Sequence, residues 1–103
     1  MKRISIVVPV YNEEDNIAHF VQSVTAVMAE LPYDYELLFV DDGSRDRSRE
    51  ILRALGASDP HVQSIFLARN FGHQLALTCG IDHADGDAVI TMDGDMQHPP
   101  ELL

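Results

Sequence analysis

The chain has 103 residues, of which 46% are hydrophobic, and its 17 acidic residues against 7 lysines and arginines give a formal net charge of -10. This length suits one small domain with a hydrophobic core and excludes two. The negative charge disfavours binding to nucleic acids, and no stretch approaches the roughly 20 apolar residues that a membrane-spanning helix needs.

The first predicted elements are a strand and an amphipathic helix. Residues 4–10 form a nearly continuous apolar run rich in β-branched side chains, which is typical of a strand buried on both faces. Asn12 is a candidate N-cap, followed by acidic residues at 13–15 that suit a first helical turn. Apolar residues then recur with helical spacing as far as Leu31, and Pro32 is expected to end the helix.

A second strand is predicted over residues 35–40, before the sequence Asp-Asp-Gly-Ser at 41–44. Ser44 or Asp46 then caps a second predicted helix, which presents Ile51, Leu52 and Leu55 on one face and ends near Gly56.

The remaining elements repeat this alternation. Residues 62–68 predict a third strand, and residues 74–84 predict a third helix that is apolar on most of its circumference and therefore largely buried. Residues 88–92 predict a fourth strand. Cys79, the single cysteine, has no disulfide partner and lies in an apolar stretch, which favours a structural role.

Strands that alternate with helices through short connections predict a Rossmann-like α/β fold. We expect one domain over residues 1–103, a three-layer sandwich with a mainly parallel sheet. Ligands of such sheets bind outside the carboxyl ends of the strands. Each predicted strand is followed there by a polar cluster, at residues 11–13, 41–42, 69–70 and 93–95. The four clusters are therefore expected to converge on one edge.

The cluster after the fourth strand has the chemistry of a metal site. Asp93 and Asp95 are two residues apart, so an extended backbone directs both carboxylates to the same face, and Gln97 adds an amide oxygen. Such oxygen ligands suit Mg²⁺ or Mn²⁺. The alternative interpretation of Asp-Gly-Asp is a solvated turn.

An edge this acidic repels a diphosphate unless a divalent cation bridges the two, and Arg69 is the only fixed positive charge expected nearby. Carboxylates in the first two loops can also accept hydrogen bonds from ribose hydroxyls or base N–H groups, while Tyr11 offers a ring face. The structural alternatives are a helix cap at Asn12 and a turn at residues 41–44. His73 and His98 are further candidates for contact with phosphates.

Four stretches together resemble one known family. They are Val-Pro-Val-Tyr-Asn-Glu-Glu at 8–14, Val-Asp-Asp-Gly-Ser at 40–44, Arg-Asn-Phe-Gly-His at 69–73, and Met-Asp-Gly-Asp-Met-Gln-His-Pro-Pro-Glu at 92–101. In this order they resemble the family 2 inverting glycosyltransferases of the GT-A fold, and more narrowly the polyprenyl-phosphate or dolichyl-phosphate sugar transferases.

The resemblance implies roles for individual residues. Asp95 and Gln97 correspond to metal ligands of a DXD motif, and Asp93 to a residue near the ribose, diphosphate and metal. The positions that correspond to nucleotide contacts are Pro9, Tyr11, Glu13, Asp41, Arg69 and Asp93. His73 and His98 stand where relatives often carry other polar or charged residues, so the resemblance does not identify the donor sugar.

The resemblance also implies a reaction and partners. The donor is a UDP- or GDP-sugar, and the acceptor is a polyprenyl-phosphate lipid whose phosphate attacks the anomeric carbon with inversion. The metal neutralises the leaving diphosphate. A full-length protein of this kind is expected at the cytoplasmic face of the membrane.

The family's catalytic domain is longer than this chain, which ends just after the metal motif. We therefore expect a truncated domain without its acceptor-binding half, inactive by itself. Its fourth strand would expose an edge, which favours association into a homo-oligomer.

Three alternatives stay open at this level. A haloacid-dehalogenase-type phosphatase carries Asp-x-Asp after its first strand, whereas here the motif follows the fourth. A phosphotransfer receiver domain needs an acidic pair after the first strand and a late lysine, and the only lysine here is Lys2. The third alternative is a catalytically incomplete nucleotide-binding piece.

Overall fold

A computed structural model describes residues 2–92 of the chain, in which strands and helices alternate. The strands pair in parallel in the order β3-β2-β1-β4. This confirms the predicted Rossmann-like α/β fold. The elements are β1 (Arg3–Val10), α1 (Ile17–Met28), β2 (Asp34–Asp41), α2 (Ser48–Ser58), β3 (Val62–Phe66), α3 (His73–His83) and β4 (Ala88–Thr91).

The two faces of the sheet carry different helices. On one face, α1 and α2 cover alternate residues of β1 and β2, and Phe20 packs edge-on against Phe39 with ring centroids 6.3 Å apart. On the other face lies α3, where Gly80 faces Val7 and Val40. A Cβ atom at Gly80 would come within 2.4 Å of the Val7 side chain, so α3 lies directly against the strands.

The predicted start and end of α1 are wrong. The helix begins at Ile17, so the acidic residues at 13–15 precede it, and it ends at Met28, which leaves Leu31 exposed outside the helix. At the start, Asn12 has a left-handed backbone (φ +54°) and its side-chain oxygen accepts the Arg45 N–H in another loop. At the end, the N–H groups of Glu30 and Leu31 bond to carbonyls three residues earlier, so the α-helical pattern does not continue to Leu31. None of the helices in residues 2–92 has the length and apolarity needed to cross a membrane.

The other two helices also differ from the predictions. Helix α2 continues past Gly56 to Ser58. Helix α3 is less buried than predicted, since Leu75 and Ile81 are 56% and 47% exposed. Its inner side meets the sheet at Ala76 and Gly80, while within residues 2–92 no element covers its outer side.

A buried polar network fixes the turn between α3 and β4, at the edge opposite the predicted site. The carboxylate of Glu36 accepts hydrogen bonds from the Ser5 hydroxyl and the Asp85 N–H, and the Ser5 oxygen accepts the Gly86 N–H at 2.7 Å. β4 then runs parallel to β1 as an edge strand of the described sheet. Because Met92 donates its N–H to the Val7 carbonyl at 3.0 Å, the chain leaves β4 towards the carboxyl edge.

Candidate functional site

A pocket of about 300 Å³ lies at the carboxyl edge of the sheet, between the loops that follow β1, β2 and β3. Three of the four predicted polar clusters therefore meet there. The fourth, with Asp93, Asp95 and Gln97, and also His98, lies outside the described residues. The pocket is lined by Tyr11, Gly43, Ser44, Arg45, Arg49, Ala68, Arg69 and Asn70.

The charged residues of this lining are all arginines. Arg45 and Arg49 stand beside Arg69, so the prediction that Arg69 would be the only nearby positive charge was wrong. The loop after β2 and the first turn of α2 fold back over the sheet edge and bring the two additional guanidinium groups with them. A sequence signal existed, since arginine occupies every second position from 45 to 49.

The loops after β1 and β2 are joined by hydrogen bonds. The Asn12 N–H donates to Ser44 Oγ at 2.9 Å, and Asn12 Oδ1 accepts the Arg45 N–H at 2.8 Å. The Glu13 N–H donates to Ser48 Oγ at 2.9 Å. Asn12 therefore joins the two loops, which explains its left-handed backbone, and it does not cap α1.

Asp41 is a fully buried carboxylate beneath the pocket. Its Oδ2 accepts Arg49 Nε–H at 2.7 Å and the Ser44 N–H at 3.1 Å, and the same guanidinium donates to the Leu67 carbonyl. Its Oδ1 has no hydrogen-bond partner among the described residues. Arg49 thus compensates the buried charge, while one carboxylate oxygen keeps its acceptor capacity.

Asp42 serves the neighbouring loop. Only 4% exposed, it accepts the N–H groups of Phe71 and Gly72 at 2.8 and 3.1 Å. Gly43 follows at φ +76°, and a Cβ atom there would lie 2.4 Å from the Arg69 carbonyl carbon. The loop after β2 therefore lies directly against the loop after β3.

The predicted nucleotide contacts are distributed over several layers. Tyr11 and Arg69 line the pocket, as the prediction requires. Asp41 lies below it, and Pro9 is buried within β1 in register with Val40. The Glu13 carboxylate accepts a hydrogen bond from a side chain of its own loop and is not part of the lining. The contact roles themselves stay predictions.

Two of the three helices that begin at this edge, α2 and α3, have a carboxylate at their N-terminal end. Asp46 accepts the first N–H of α2, from Ser48, at 2.9 Å, and Asp42 accepts the Gly72 N–H at the start of α3. A helix N-terminus in a Rossmann-like fold is otherwise a favourable position for a phosphate. At α2 and α3 a carboxylate already lies in this position, and the described lining of the pocket supplies arginine side chains as anion-binding groups.

The described residues contain no cluster of three His, Cys, Asp or Glu side chains that could hold a metal ion. Asp42 and Asp46 have internal partners, and Asp41 keeps a single buried oxygen without one, so these three residues do not fit a metal site. The predicted donors Asp93 and Asp95 lie just after Met92. The arginine lining also weakens the argument that a diphosphate needs a cation to approach this edge.

The hydrogen bonds at Asp46 make a small part of the stability depend on pH. Partial burial raises the pKa of Asp46, but the hydrogen bonds from Ser48 and the Glu14 N–H outweigh it and lower the pKa below the ordinary 3.8. A carboxyl whose pKa is lower in the folded chain stabilises the fold above its ordinary pKa. This contribution is lost as the pH falls through the folded-state value.

We therefore expect the free energy of unfolding of wild type to be higher than that of Asp46→Asn by a constant amount above pH 5. This difference should be smaller at pH 3. Urea denaturation at both pH values measures this difference. The control is Asp82→Asn, because the Asp82 side chain forms no hydrogen bond or ion pair with residues 2–92. A difference for Asp46→Asn that is unchanged at pH 3 contradicts the prediction.

Residues 5–103 match the family model described as glycosyl transferase family 2. The chain belongs to this family. Family membership, together with the position of Asp93 after the edge strand β4, removes the phosphatase and receiver-domain interpretations.

Individual relatives agree with this assignment. The chain is 54% identical over 99 residues to the uncharacterized glycosyltransferase YkcC of Bacillus subtilis (strain 168), covering 96% of this chain and 31% of the relative. It is 46% identical over 101 residues to the bactoprenol glucosyl transferase of Shigella phage SfV, covering 98% of this chain and 33% of the relative. The chain thus spans about a third of the length of these curated relatives.

A solved structure agrees with the fold. Mannosyltransferase PcManGT from Pyrobaculum calidifontis, solved in complex with GDP-Man and Mn²⁺, matches with a TM-score of 0.72 and 25% identity. The match covers 91% of this chain and 28% of that chain.

Proposed function

We propose that this chain binds the nucleoside diphosphate of a sugar donor, as the donor-binding part of an inverting transferase that acts on a polyprenyl-phosphate lipid. The observation that carries the proposal is the pocket at the carboxyl edge, which is lined by the aromatic Tyr11 and by three arginines, of which Arg49 is paired with Asp41. Planar guanidinium groups bind phosphates and stack on flat rings. Such a lining suits a nucleotide better than a neutral sugar.

Two residues supply the contacts with the base in this proposal. Tyr11 and Arg69 offer a ring face and a guanidinium plane from different loops. Asp41 Oδ1 is buried without a partner among the described residues. In this proposal it accepts a hydrogen bond from an N–H group of the base, after the loops have moved enough to let the base reach it. Uracil and guanine both present such a ring N–H, so UDP and GDP are both tested.

The diphosphate extends towards the end of β4 in this proposal. Asp93, Asp95 and Gln97 carry oxygen donors that suit Mg²⁺ or Mn²⁺, and such a cation supplies charge neutralisation for the leaving diphosphate. An acceptor phosphate is already anionic and needs little help from a general base. Among residues 2–92, the pocket lining contains no carboxylate.

The acceptor and the location belong to the same proposal. The bactoprenol glucosyl transferase among the relatives supports a polyprenyl-phosphate acceptor. An acceptor of this kind brings the protein to a membrane surface, and we place it on the cytoplasmic side. Association between copies through the open edge of β4 stays a prediction.

Isothermal titration calorimetry tests the proposal directly. Wild-type protein is titrated with UDP and with GDP, each with and without Mn²⁺, and the titrations are repeated with Asp95→Ala. We expect one nucleotide to bind and Mn²⁺ to strengthen its binding, because the cation bridges two anionic groups. Asp95→Ala should remove the Mn²⁺-dependent gain, while Arg69→Ala should weaken binding with and without the metal.

The matched control is Asp34→Ala, which changes the net charge equally but lies at the opposite edge of the sheet, where β2 begins. It should bind the nucleotide as wild type does. The proposal fails if neither UDP nor GDP binds under any of these conditions. The metal role alone fails if Asp95→Ala retains the full Mn²⁺-dependent gain.

A further inference from the structure

Asp42 connects three loops of the candidate site. Its backbone N–H donates to the Val10 carbonyl at 2.8 Å, which fixes it to the end of β1. Its carboxylate accepts the N–H groups of Phe71 and Gly72, in the loop between β3 and α3. Both oxygens of this buried carboxylate therefore have backbone partners.

Helix α3 has no N-terminal cap of its own. Its N-cap residue is Gly72, which has no side chain, and its first turn contains no acidic residue. The Asp42 carboxylate, from a loop about 30 residues earlier, accepts the N–H of the N-cap residue Gly72 and of Phe71 before it, and not the N–H groups of the first turn that a capping side chain usually accepts. Its negative charge is stabilised there by two N–H groups and by the positive end of the helix dipole.

Phe71 and Gly72, which Asp42 binds, directly follow the pocket-lining residues of the loop after β3. Arg69 and Asn70 line the pocket, and the Arg69 guanidinium lies 4.7 Å from the centroid of the Phe71 ring. The N–H of that same Phe71 is bound by Asp42. The hydrogen bonds of Asp42 therefore act on the segment that presents Arg69.

We propose that Asp42 is a positioning residue: from the loop after β2 it binds the Phe71 and Gly72 amides, a contact called here the cap of α3, and thereby holds Arg69 and Asn70 in the nucleotide pocket. The capping part is independent of the ligand, whereas the effect on affinity rests on the proposed function. The two neighbouring aspartates then have different roles. Among the described residues Asp41 Oδ1 has no hydrogen-bond partner, whereas both oxygens of Asp42 have one.

The capping part is tested by amide hydrogen exchange, measured by NMR on Asp42→Asn. Asparagine keeps the shape but loses the charge and one acceptor oxygen. We expect the Phe71 and Gly72 amides to exchange roughly tenfold faster or more, as expected when hydrogen bonds to a charged group are lost. The control is Asp59→Asn, whose carboxylate accepts the His61 N–H at 2.9 Å in the loop between α2 and β3. It should leave both amides unchanged.

The positioning part is tested by a double-mutant cycle of Asp42→Asn and Arg69→Ala, measured as the dissociation constants of UDP and GDP. Asp42→Asn alone should weaken nucleotide binding roughly tenfold, and it should have little further effect when Arg69 is absent. Losses that add within about twofold, the behaviour of independent sites, overturn the positioning role. A substitution that only destabilises the fold should change the dissociation constant by the same factor whether or not Arg69 is present.

Failure of this inference and failure of the proposed function can be told apart in two cases. If wild type binds neither nucleotide, the proposed function and the positioning role fail together, and the exchange data still decide the cap. If Asp42→Asn does not fold, the scalar coupling across the Phe71 N–H to carboxylate hydrogen bond is measured in wild type. A detectable coupling supports the cap, and its absence overturns it.

Discussion

Replacing Arg49 by methionine is expected to lower the free energy of unfolding by about 3 kcal/mol, because it leaves the buried carboxylate of Asp41 without a compensating charge. Arg49 Nε lies 2.7 Å from Asp41 Oδ2 and is the cation in contact with it among the described residues. Removing one partner of a buried ion pair typically costs about 3–5 kcal/mol. We expect the lower end, since Arg49 is itself 29% exposed.

Urea denaturation followed by circular dichroism at pH 7 measures this loss. Two further variants identify its cause. The double variant Arg49→Met with Asp41→Asn should recover much of the stability, because it no longer buries a charge. Arg53→Met, on the same helix, removes an arginine that also lies over the Phe66 ring, at 4.8 Å, and should cost less than about 1 kcal/mol. Equal losses for Arg49→Met and Arg53→Met contradict the role of the buried pair.

The second large effect is expected for Gly43→Ala, which should destabilise the fold by about 3 kcal/mol. A left-handed backbone costs a residue with a Cβ atom roughly 1–2 kcal/mol, and overpacking adds roughly 1–3 kcal/mol. The overpacking is severe here because the new Cβ would lie 2.4 Å from the Arg69 carbonyl carbon and 2.5 Å from the Asn70 nitrogen. Both are main-chain atoms, so relief requires the two loops to separate.

Gly56→Ala is the matched control for this substitution. Gly56 lies within α2, and a Cβ atom there would meet only the Val62 carbonyl oxygen, at an ordinary 3.6 Å. Because alanine favours a helix over glycine by about 1 kcal/mol, this variant should be slightly more stable than wild type. If both alanine variants have free energies of unfolding within about 1 kcal/mol of wild type, the loops after β2 and β3 do not lie in direct contact at Gly43.

The described part of the fold could largely be predicted from local patterns. Apolar runs of β-branched residues identify β1 and β2, and helical spacing identifies α1, because the strands are buried on both faces and the helix on one. The end of α1 was overestimated because Leu31 continues the spacing while lying outside the helix. Periodicity records which side chains are apolar, and it does not record where the backbone leaves the helical conformation.

The candidate site was predictable only in part. Tyr11 and Arg69 were found because polar residues after parallel strands face one edge. Arg45 and Arg49 were missed, because their position depends on how the loop after β2 crosses that edge. A sequence pattern places a residue in a loop, whereas the direction of the loop depends on contacts with other loops.

The order of the elements, the parallel sheet and the edge at which the polar clusters meet can be inferred from the amino-acid pattern, since they follow from hydrophobic periodicity and the handedness of crossovers. Which carboxylates keep an oxygen for a ligand depends on contacts that only the folded chain shows. Asp41, Asp42 and Glu36 are all acidic residues at strand ends or within strands, yet each has different partners. The physical reason is that a buried charge requires specific donors, and those donors come from segments distant in sequence.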